Sequence, residues 1–104
     1  MNINVVQTDP HHPRLELSGR FDAFETEAFR ATVDGLLNGS RSNLTTVLRD
    51  VIFVDSSGLA ELVRLMKHCR ESNGELFLEA PSDPVRVILE LTRLDAAFAI
   101  TEGS

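Results

Sequence analysis

Two serines and an aspartate lie together where an apolar strand pattern gives way to a helical one. The segment Asp55–Gly58 reads Asp-Ser-Ser-Gly and follows the continuous apolar run Val51–Val54. A helix N-terminus presents free backbone N–H groups and the positive end of the helix dipole, so it favours negative charge. Hydroxyls at such a position could act as nucleophiles, cap the helix or accept a phosphate.

A catalytic serine is the first of these roles, and the surrounding sequence argues against it. A nucleophile elbow requires glycine two residues before the serine, whereas valine precedes Ser56 and aspartate precedes Ser57 at that spacing. A general base must lie within hydrogen-bond reach. On the predicted helix His68 lies roughly 18 Å from Ser56, at about 1.5 Å per residue. We therefore predict no catalytic residue and no enzymatic activity.

The sequence also lacks a motif for a phosphate-containing cofactor. The glycines, at positions 19, 35, 39, 58, 74 and 103, are isolated, so neither a P-loop nor a dinucleotide-binding fingerprint is present. The one cluster of metal-ligating side chains is Asp9 with His11 and His12, in a proline-flanked turn. Adjacent ligands in such a turn are typical of a solvated loop. We expect no cofactor and no metal site.

Composition limits the class of partner. The 104 residues are enough for one domain, residues 1–104, and 42% are hydrophobic. The net charge of −6 argues against nucleic acid, which is bound mainly through Lys and Arg, and against anionic membrane surfaces. No apolar run approaches the roughly 20 residues that span a bilayer.

Cysteine usage and the N-terminal segment favour the cytoplasm. Cys69 is the single cysteine, so no internal disulfide can form, and its place beside predicted core residues indicates a small buried hydrophobe. The segment Met1–Val5 lacks a basic region followed by a long apolar stretch, so we expect no signal peptide. A monomer is the default expectation for the oligomeric state.

Hydrophobic periodicity predicts the strands that position the serines. The first two form an antiparallel hairpin that ends at Ser18–Gly19. A later run, residues 51–54, is apolar throughout and is predicted to be covered on both faces. Residues 96–100 fit either a last strand or a helical turn. The predicted strands are residues 3–6, 15–17, 44–48 with 51–54, and 76–78.

Three amphipathic segments predict helices. The first starts with a capping-box-like Asp22 and Glu25 and ends at Asn38–Gly39. The second starts near Ser57 and ends at Asn73–Gly74, and the third has Asp83 as N-cap before a first-turn proline, Pro84. Their apolar faces are Phe29, Val33, Leu36 and Leu37; Leu59, Leu62, Val63, Met66 and Cys69; and Val85, Ile88 and Leu89. On the second helix we expect Glu61, Arg64, Lys67 and Glu71 to point away from the buried stripe.

The order of elements predicts an α/β fold with a mixed sheet. Strand–helix–strand alternation after residue 40 implies parallel neighbours, and the opening hairpin adds an antiparallel pair. We expect four to five strands, with the helices packed largely on one face.

The segment Ile52–Leu59 resembles the signature of the STAS domains, and particularly of the anti-sigma factor antagonists. In that family an apolar strand end is followed by Asp-Ser-Ser/Thr-Gly-Leu and a helix. Three further segments are similar to family segments: Ser18–Asp22 to Gly-x-Leu-Asp, with Phe21 replacing Leu; Asn73–Leu76 to a Gly-Gly-x-Leu helix stop; and Leu91–Asp95 to the segment after the third helix. The resemblance covers essentially the whole chain.

The resemblance implies a regulatory role. Family antagonists bind an anti-sigma factor and release the sigma factor that it held. The anti-sigma partner is often also a serine kinase, which uses ATP to phosphorylate the first serine of the motif, and a PP2C-type phosphatase reverses the reaction. That serine is Ser56 here, whereas Ser57 occupies the second position, which the family does not usually phosphorylate.

The resemblance also implies a partner-binding surface around the two conserved segments of the family. It comprises Asp22, Asp55, Ser57, Gly58, Leu59, Glu61 and Arg64.

Two alternatives stay open at this point. The Asp-Ser-Ser-Gly segment could serve only to cap the helix, because such residues at a helix start are more often caps than functional sites. The chain could also be a STAS scaffold subunit of a lipid-transport or stress-signalling complex that is never phosphorylated.

Overall fold

The computed structural model describes residues 1–6, 11–37 and 43–102. They form a five-stranded sheet with three α-helices and one 3₁₀ turn. The strands are β1 Asn2–Val6, β2 Arg14–Phe21, β3 Leu44–Val54, β4 Leu76–Glu79 and β5 Ala99–Thr101. The helices are α1 Thr26–Leu36, α2 Ser56–Glu71 and α3 Asp83–Leu91, and the 3₁₀ turn is Leu94–Ala96.

The sheet is mixed, in the order β1-β2-β3-β4-β5. Strand β1 pairs antiparallel with β2, whereas β2, β3, β4 and β5 are parallel to their neighbours. One helix connects each successive pair of parallel strands, as crossover connections require. The predicted fold class and the predicted hairpin are therefore confirmed, and residues 96–100 contribute to both a helical turn and a strand.

All three helices share one core with one face of the sheet. Phe29 of α1, Leu65 of α2 and Leu89 of α3 belong to the same buried cluster as the inward-facing strand residues. The opposite face is polar: Arg14 of β2 forms a bidentate ion pair with Glu79 of β4. The inward-facing strand residues include Leu15, Leu17, Leu44, Leu76 and Leu78, each no more than 2% exposed.

Strand β2 continues past the predicted stop at Ser18–Gly19. Gly19 has a φ of +94°, which glycine adopts without steric cost, and the β2–β3 register shifts on both sides of it. Irregularities of this kind bend a strand without ending it. As a result β2 reaches Phe21, which pairs with Val54 at the end of β3. The loops that follow these two strands therefore start side by side.

The helix starts differ from the predicted caps. Helix α1 begins at Thr26 and has no side-chain cap, because Asp22 instead accepts a hydrogen bond from the Phe24 N–H within its own turn. Helix α3 begins at Asp83, so Ser82, not Asp83, occupies the N-cap position. The Ser82 hydroxyl donates to the carbonyl of Val51, which ties α3 to β3. The predicted stop at residues 38–39 lies outside the described residues.

The apolar end of β3 is not covered on both faces. Val51 and Val54 are buried, but Ile52 is 64% exposed and Phe53 is 37% exposed. The guanidinium of Arg20 lies over the Phe53 ring, 4.1 Å from its centroid. The prediction failed here because all three helices pack on one face of the sheet, so none of them covers the other face of this strand end.

Candidate functional site

Asp55 caps helix α2. Its backbone is extended, and its Oδ1 accepts a 2.9 Å hydrogen bond from the Gly58 N–H. The Leu59 N–H bonds the Asp55 carbonyl at 2.9 Å, which closes the first helical turn. The capping role that the sequence left open therefore belongs to Asp55, and α2 starts at Ser56, one residue earlier than predicted.

The second oxygen of the same carboxylate reaches the loop that follows β2. Asp55 Oδ2 accepts a 3.2 Å hydrogen bond from the Ala23 N–H, and the Asp55 N–H donates to the Phe21 carbonyl at 3.3 Å. One side chain thus satisfies backbone donors of two segments. Asp55 joins the 22–25 loop (residues 22–25) to the start of α2.

Gly58 allows α2 to approach β2 closely. A Cβ atom at this position would lie 2.4 Å from the Phe21 carbonyl oxygen and 3.0 Å from Val54 Cγ2. Real Cβ atoms do not tolerate the first distance, so any larger residue would displace the helix or the strand end. Gly58 therefore determines how near the serines lie to the 22–25 loop.

Ser56 and Ser57 are exposed at the first two positions of α2. Neither hydroxyl bonds another residue in the described part of the chain. Their amides precede the first intrahelical hydrogen bonds, so they lie at the positive end of the helix dipole. His68 is on the same helix, near its other end, and no group of three or more metal-ligating side chains occurs among the described residues. The arrangement suits a modified hydroxyl better than an activated nucleophile.

Glu61 does not lie on the exposed side of α2, and the prediction that placed it there is wrong. Its side chain is 4% exposed and accepts hydrogen bonds from Arg30 Nε and Nη2, at 2.9 and 2.7 Å, and from Arg64 Nε at 2.7 Å. The hydrogen bond from Arg30 is the largest cause that lowers the pKa of Glu61, followed by that from Arg64. Helical spacing was the missed signal, since Glu61 lies one turn before the fully buried Leu65.

The remaining predicted surface residues fall into two layers. Gly58 and Leu59 are buried, and Leu59 belongs to the core cluster, so both support the site from below. Asp22 and Asp55 are partly exposed beside the serines. Arg64 is partly exposed but held by Glu61. Phe24, which no sequence motif marks, has a side chain that is 93% exposed in the 22–25 loop.

Cys69 is fully buried, as predicted. Burial is the main cause that raises the pKa of its thiol to about 11, with a smaller contribution from Glu75. The thiol is therefore protonated at neutral pH and behaves as part of the core.

Within the described residues, no helix is long and apolar enough to cross a membrane.

The chain is similar in sequence or in fold to proteins named as anti-sigma factor antagonists. The anti-sigma-B factor antagonist of Bacillus subtilis strain 168 is 28% identical over 105 residues, which cover all of this chain and 95% of the relative. A STAS-domain anti-sigma factor antagonist from Planctomyces limnophilus has a TM-score of 0.83 at 21% identity, covering 98% of this chain and 91% of that one.

The anti-sigma factor antagonist SpoIIAA has been solved in two states. Its unphosphorylated form has a TM-score of 0.76 at 17% identity and covers 99% of this chain and 90% of its own. The phosphorylated Bacillus form has a TM-score of 0.73 at 18% identity, with 95% and 90% covered. At these identities the likeness concerns the fold.

These relatives are named for antagonism of another protein and not for a reaction, in agreement with the prediction that this chain is not an enzyme. A family model described as the Mlab, STAS domain matches residues 4–102. Because that match extends over nearly the whole sequence, the chain belongs to the STAS-domain family, as its resemblance in sequence indicated.

Proposed function

We propose that this chain is an anti-sigma factor antagonist that is switched off by phosphorylation of Ser56. In its unphosphorylated form it binds an anti-sigma factor that is also a serine kinase, and this binding releases the sigma factor. The kinase transfers the γ-phosphoryl group of ATP to the Ser56 hydroxyl, which loses its proton, and ADP leaves. A PP2C-type phosphatase hydrolyses the phosphoserine and restores binding.

The observation that carries the proposal is the division of roles between Asp55 and Ser56. Asp55 caps α2 through Gly58, so Ser56 is exposed and is not needed as a cap. A kinase can therefore modify Ser56 without removing a hydrogen bond that holds the helix. The names of the relatives support the partner: they are anti-sigma-B factor antagonists.

The switch acts through local charge and volume. A phosphoserine carries roughly −1.5 to −2 charges at neutral pH. The helix N-terminus attracts that charge, whereas the neighbouring carboxylate of Asp55 repels it. A partner surface that fits a neutral hydroxyl would have to desolvate a bulky dianion, which is costly without a matching cation.

The binding surface includes Asp22, Asp55, Ser57 and Arg64, with Gly58 and Leu59 beneath it.

The fold itself need not change. Both the phosphorylated and the unphosphorylated SpoIIAA resemble this chain in fold, which supports exclusion of the partner without a large rearrangement. Amide NMR shifts of wild type and Ser56→Glu test this step. We expect shifts confined to the start of α2 and the 22–25 loop, whereas widespread shifts would contradict local exclusion.

Intact mass measurement tests the central claim. Purified chain is incubated with ATP and each purified anti-sigma kinase of the source organism. We expect one added phosphoryl group on wild type and on Ser57→Ala, and none on Ser56→Ala. If Ser57→Ala gains a phosphoryl group and Ser56→Ala does not, Ser56 is the modified residue, because each variant keeps only one of the two exposed hydroxyls.

The scaffold alternative predicts a different outcome. A STAS scaffold subunit would stay unmodified with every kinase and would form a stable complex with a transport ATPase. That pair of results would overturn the antagonist proposal. Nucleic acid and anionic membrane are not expected to bind, because the chain carries a net charge of −6.

A further inference from the structure

The 22–25 loop presents an aromatic side chain that the described residues leave almost fully exposed. Phe24 is 93% exposed, whereas its neighbours in sequence, Phe21 and Phe29, are fully buried and pack against each other with ring centroids 4.8 Å apart. Among the described residues Phe24 is the most exposed large apolar side chain. A phenyl ring left in water forgoes the free energy that burial would give.

The loop that carries Phe24 is held by hydrogen bonds on both sides of it. The Phe24 N–H donates to Asp22 Oδ1 at 3.1 Å, and the Ala23 N–H donates to Asp55 Oδ2 at 3.2 Å. The Glu25 N–H bonds the Asp22 carbonyl at 3.0 Å. The ring is therefore displayed on an ordered backbone, so a partner that covers it pays little to order the chain.

Phe24 is continuous with the proposed binding surface. Its neighbour Ala23 shares the Asp55 carboxylate with Gly58, and Asp55 directly precedes Ser56. The path from the Phe24 Cα through this hydrogen bond to the Ser56 Cα is at most about 15 Å, given about 3.8 Å between consecutive Cα atoms. One partner face can cover both positions.

We infer that Phe24 is the apolar anchor of this surface and inserts into an apolar pocket of the anti-sigma factor. The inference rests on the proposed function and adds an apolar hot-spot residue to its binding surface. Exposed aromatic residues that become fully desolvated dominate protein interfaces. The carboxylates of Asp22, which lies 3.7 Å from the Arg20 guanidinium, and of Glu27 favour a pocket that is bordered by basic residues.

Calorimetric titration of the purified anti-sigma kinase with three variants tests the anchor. We expect Phe24→Ala to weaken binding about 30-fold or more, and Phe24→Leu, which keeps an apolar side chain, to weaken it by less. Leu91→Ala is the matched control, because Leu91 is 76% exposed on α3, away from the loop. It should bind as wild type does.

Three further readouts separate an anchor from a general disturbance. Loss of apolar burial makes the heat-capacity change of binding less negative for Phe24→Ala. The affinity lost should be similar at low and high salt, unlike the loss in Asp22→Asn, which salt should diminish. In the kinase reaction Phe24→Ala should raise KM with little change in kcat, because docking and not chemistry is weakened.

The outcomes distinguish the inference from the function on which it rests. If the kinase phosphorylates Ser56 of wild type and Phe24→Ala binds within about twofold of wild type, the anchor is wrong and the antagonist proposal stands. If no anti-sigma kinase binds or phosphorylates wild type, both fail. Unfolding by urea at the wild-type midpoint shows that Phe24→Ala is folded, as its exposure leads us to expect.

Discussion

Gly58 of α2 packs against the backbone of Phe21, the last residue of β2. A Cβ atom at position 58 would lie 2.4 Å from the Phe21 carbonyl oxygen. The same carbonyl accepts the Asp55 N–H, so the strand end, the cap and the helix start form one tightly packed unit. This unit determines where the Ser56 hydroxyl lies relative to the 22–25 loop.

Gly58→Ala should therefore destabilise the protein by about 1–3 kcal/mol, the typical cost of overpacking. The contact is with backbone, which cannot rotate away as a flexible side chain would. Urea denaturation measures the change. Gly35→Ala on α1 is the control: nothing lies within 4 Å of a Cβ there, so this variant should be as stable as wild type or gain up to about 1 kcal/mol. Equal effects of the two substitutions would contradict the close approach.

Asp55→Asn should separate the two hydrogen bonds of the cap. The one carbonyl oxygen of asparagine can still accept from Gly58 as an N-cap, but its NH₂ group cannot accept from Ala23. We expect Asp55→Ala to cost about 1 kcal/mol or more, and Asp55→Asn to cost less while it speeds hydrogen exchange at the Ala23 amide. NMR-detected exchange measures this. An unchanged Ala23 amide in Asp55→Asn would show that the carboxylate does not hold the loop.

Sequence periodicity was sufficient for the order of elements and for the location of the site. Alternation and apolar runs predicted the hairpin and the parallel strands, and the turn from Val54 into a helix located Asp55–Gly58. The choice of cap was left open, because Asp55, Ser56 and Ser57 are all good capping residues. The hydrogen bond from the Gly58 N–H decides in favour of Asp55, and the bond from the Ala23 N–H, distant in sequence, holds the same carboxylate in place.

Two of the wrong predictions, at Gly19 and Glu61, come from contacts between segments distant in sequence, and a third, at Asp22, comes from a local turn. The glycine at 19 was predicted to end β2, but pairing with β3 carries the strand through it. Glu61 was predicted to be exposed because of its charge, but Arg30 of α1 lies across from it and compensates for its burial. Asp22 was predicted to cap α1, and its own turn uses it instead. The pairing of β2 with β3 and the position of Arg30 cannot be predicted from local sequence patterns, whereas helical spacing alone indicated that Glu61 lies near the core.

Glu61→Gln should lower stability near pH 7 and change how stability depends on pH. The pKa of Glu61 is lowered in the folded state, chiefly by Arg30, so its contribution is fully present above the unfolded pKa of about 4.3 and is lost as pH falls through the lower folded value. Near pH 7 we expect Glu61→Gln to be less stable by about 1–3 kcal/mol.

The difference between wild type and Glu61→Gln should shrink as the pH falls below about 4. Urea denaturation at a series of pH values measures it. Glu71→Gln, an exposed position on the same helix, should stay within about 0.5 kcal/mol of wild type. A difference that persists unchanged at pH 3 would show that the carboxylate charge does not stabilise the contact between α1 and α2.

Thr46→Val should stabilise the protein. Thr46 is fully buried on the core side of β3, and its hydroxyl has no hydrogen-bond partner among the described residues. Valine has nearly the same shape and removes the cost of a buried unpaired donor, about 1 kcal/mol or more. Thermal denaturation should show a higher Tm. Thr45→Val is the comparison, since the Thr45 hydroxyl is bonded to His12 at 2.7 Å, and that variant should not gain stability. A lower Tm for Thr46→Val would indicate that its hydroxyl is paired in solution.

Cys69 should resist thiol reagents for as long as the protein is folded. Its pKa is raised to about 11, so at pH 8 the nucleophilic thiolate is rare, and burial blocks access as well. Labelling with a disulfide reagent should proceed at a rate that increases with urea. The variant Lys67→Cys provides an internal control, because position 67 is exposed on the same helix. It should show one fast and one slow thiol in native buffer and two fast thiols when unfolded. Two fast thiols in the native protein would mean that α2 opens far more readily than its packing against the sheet implies.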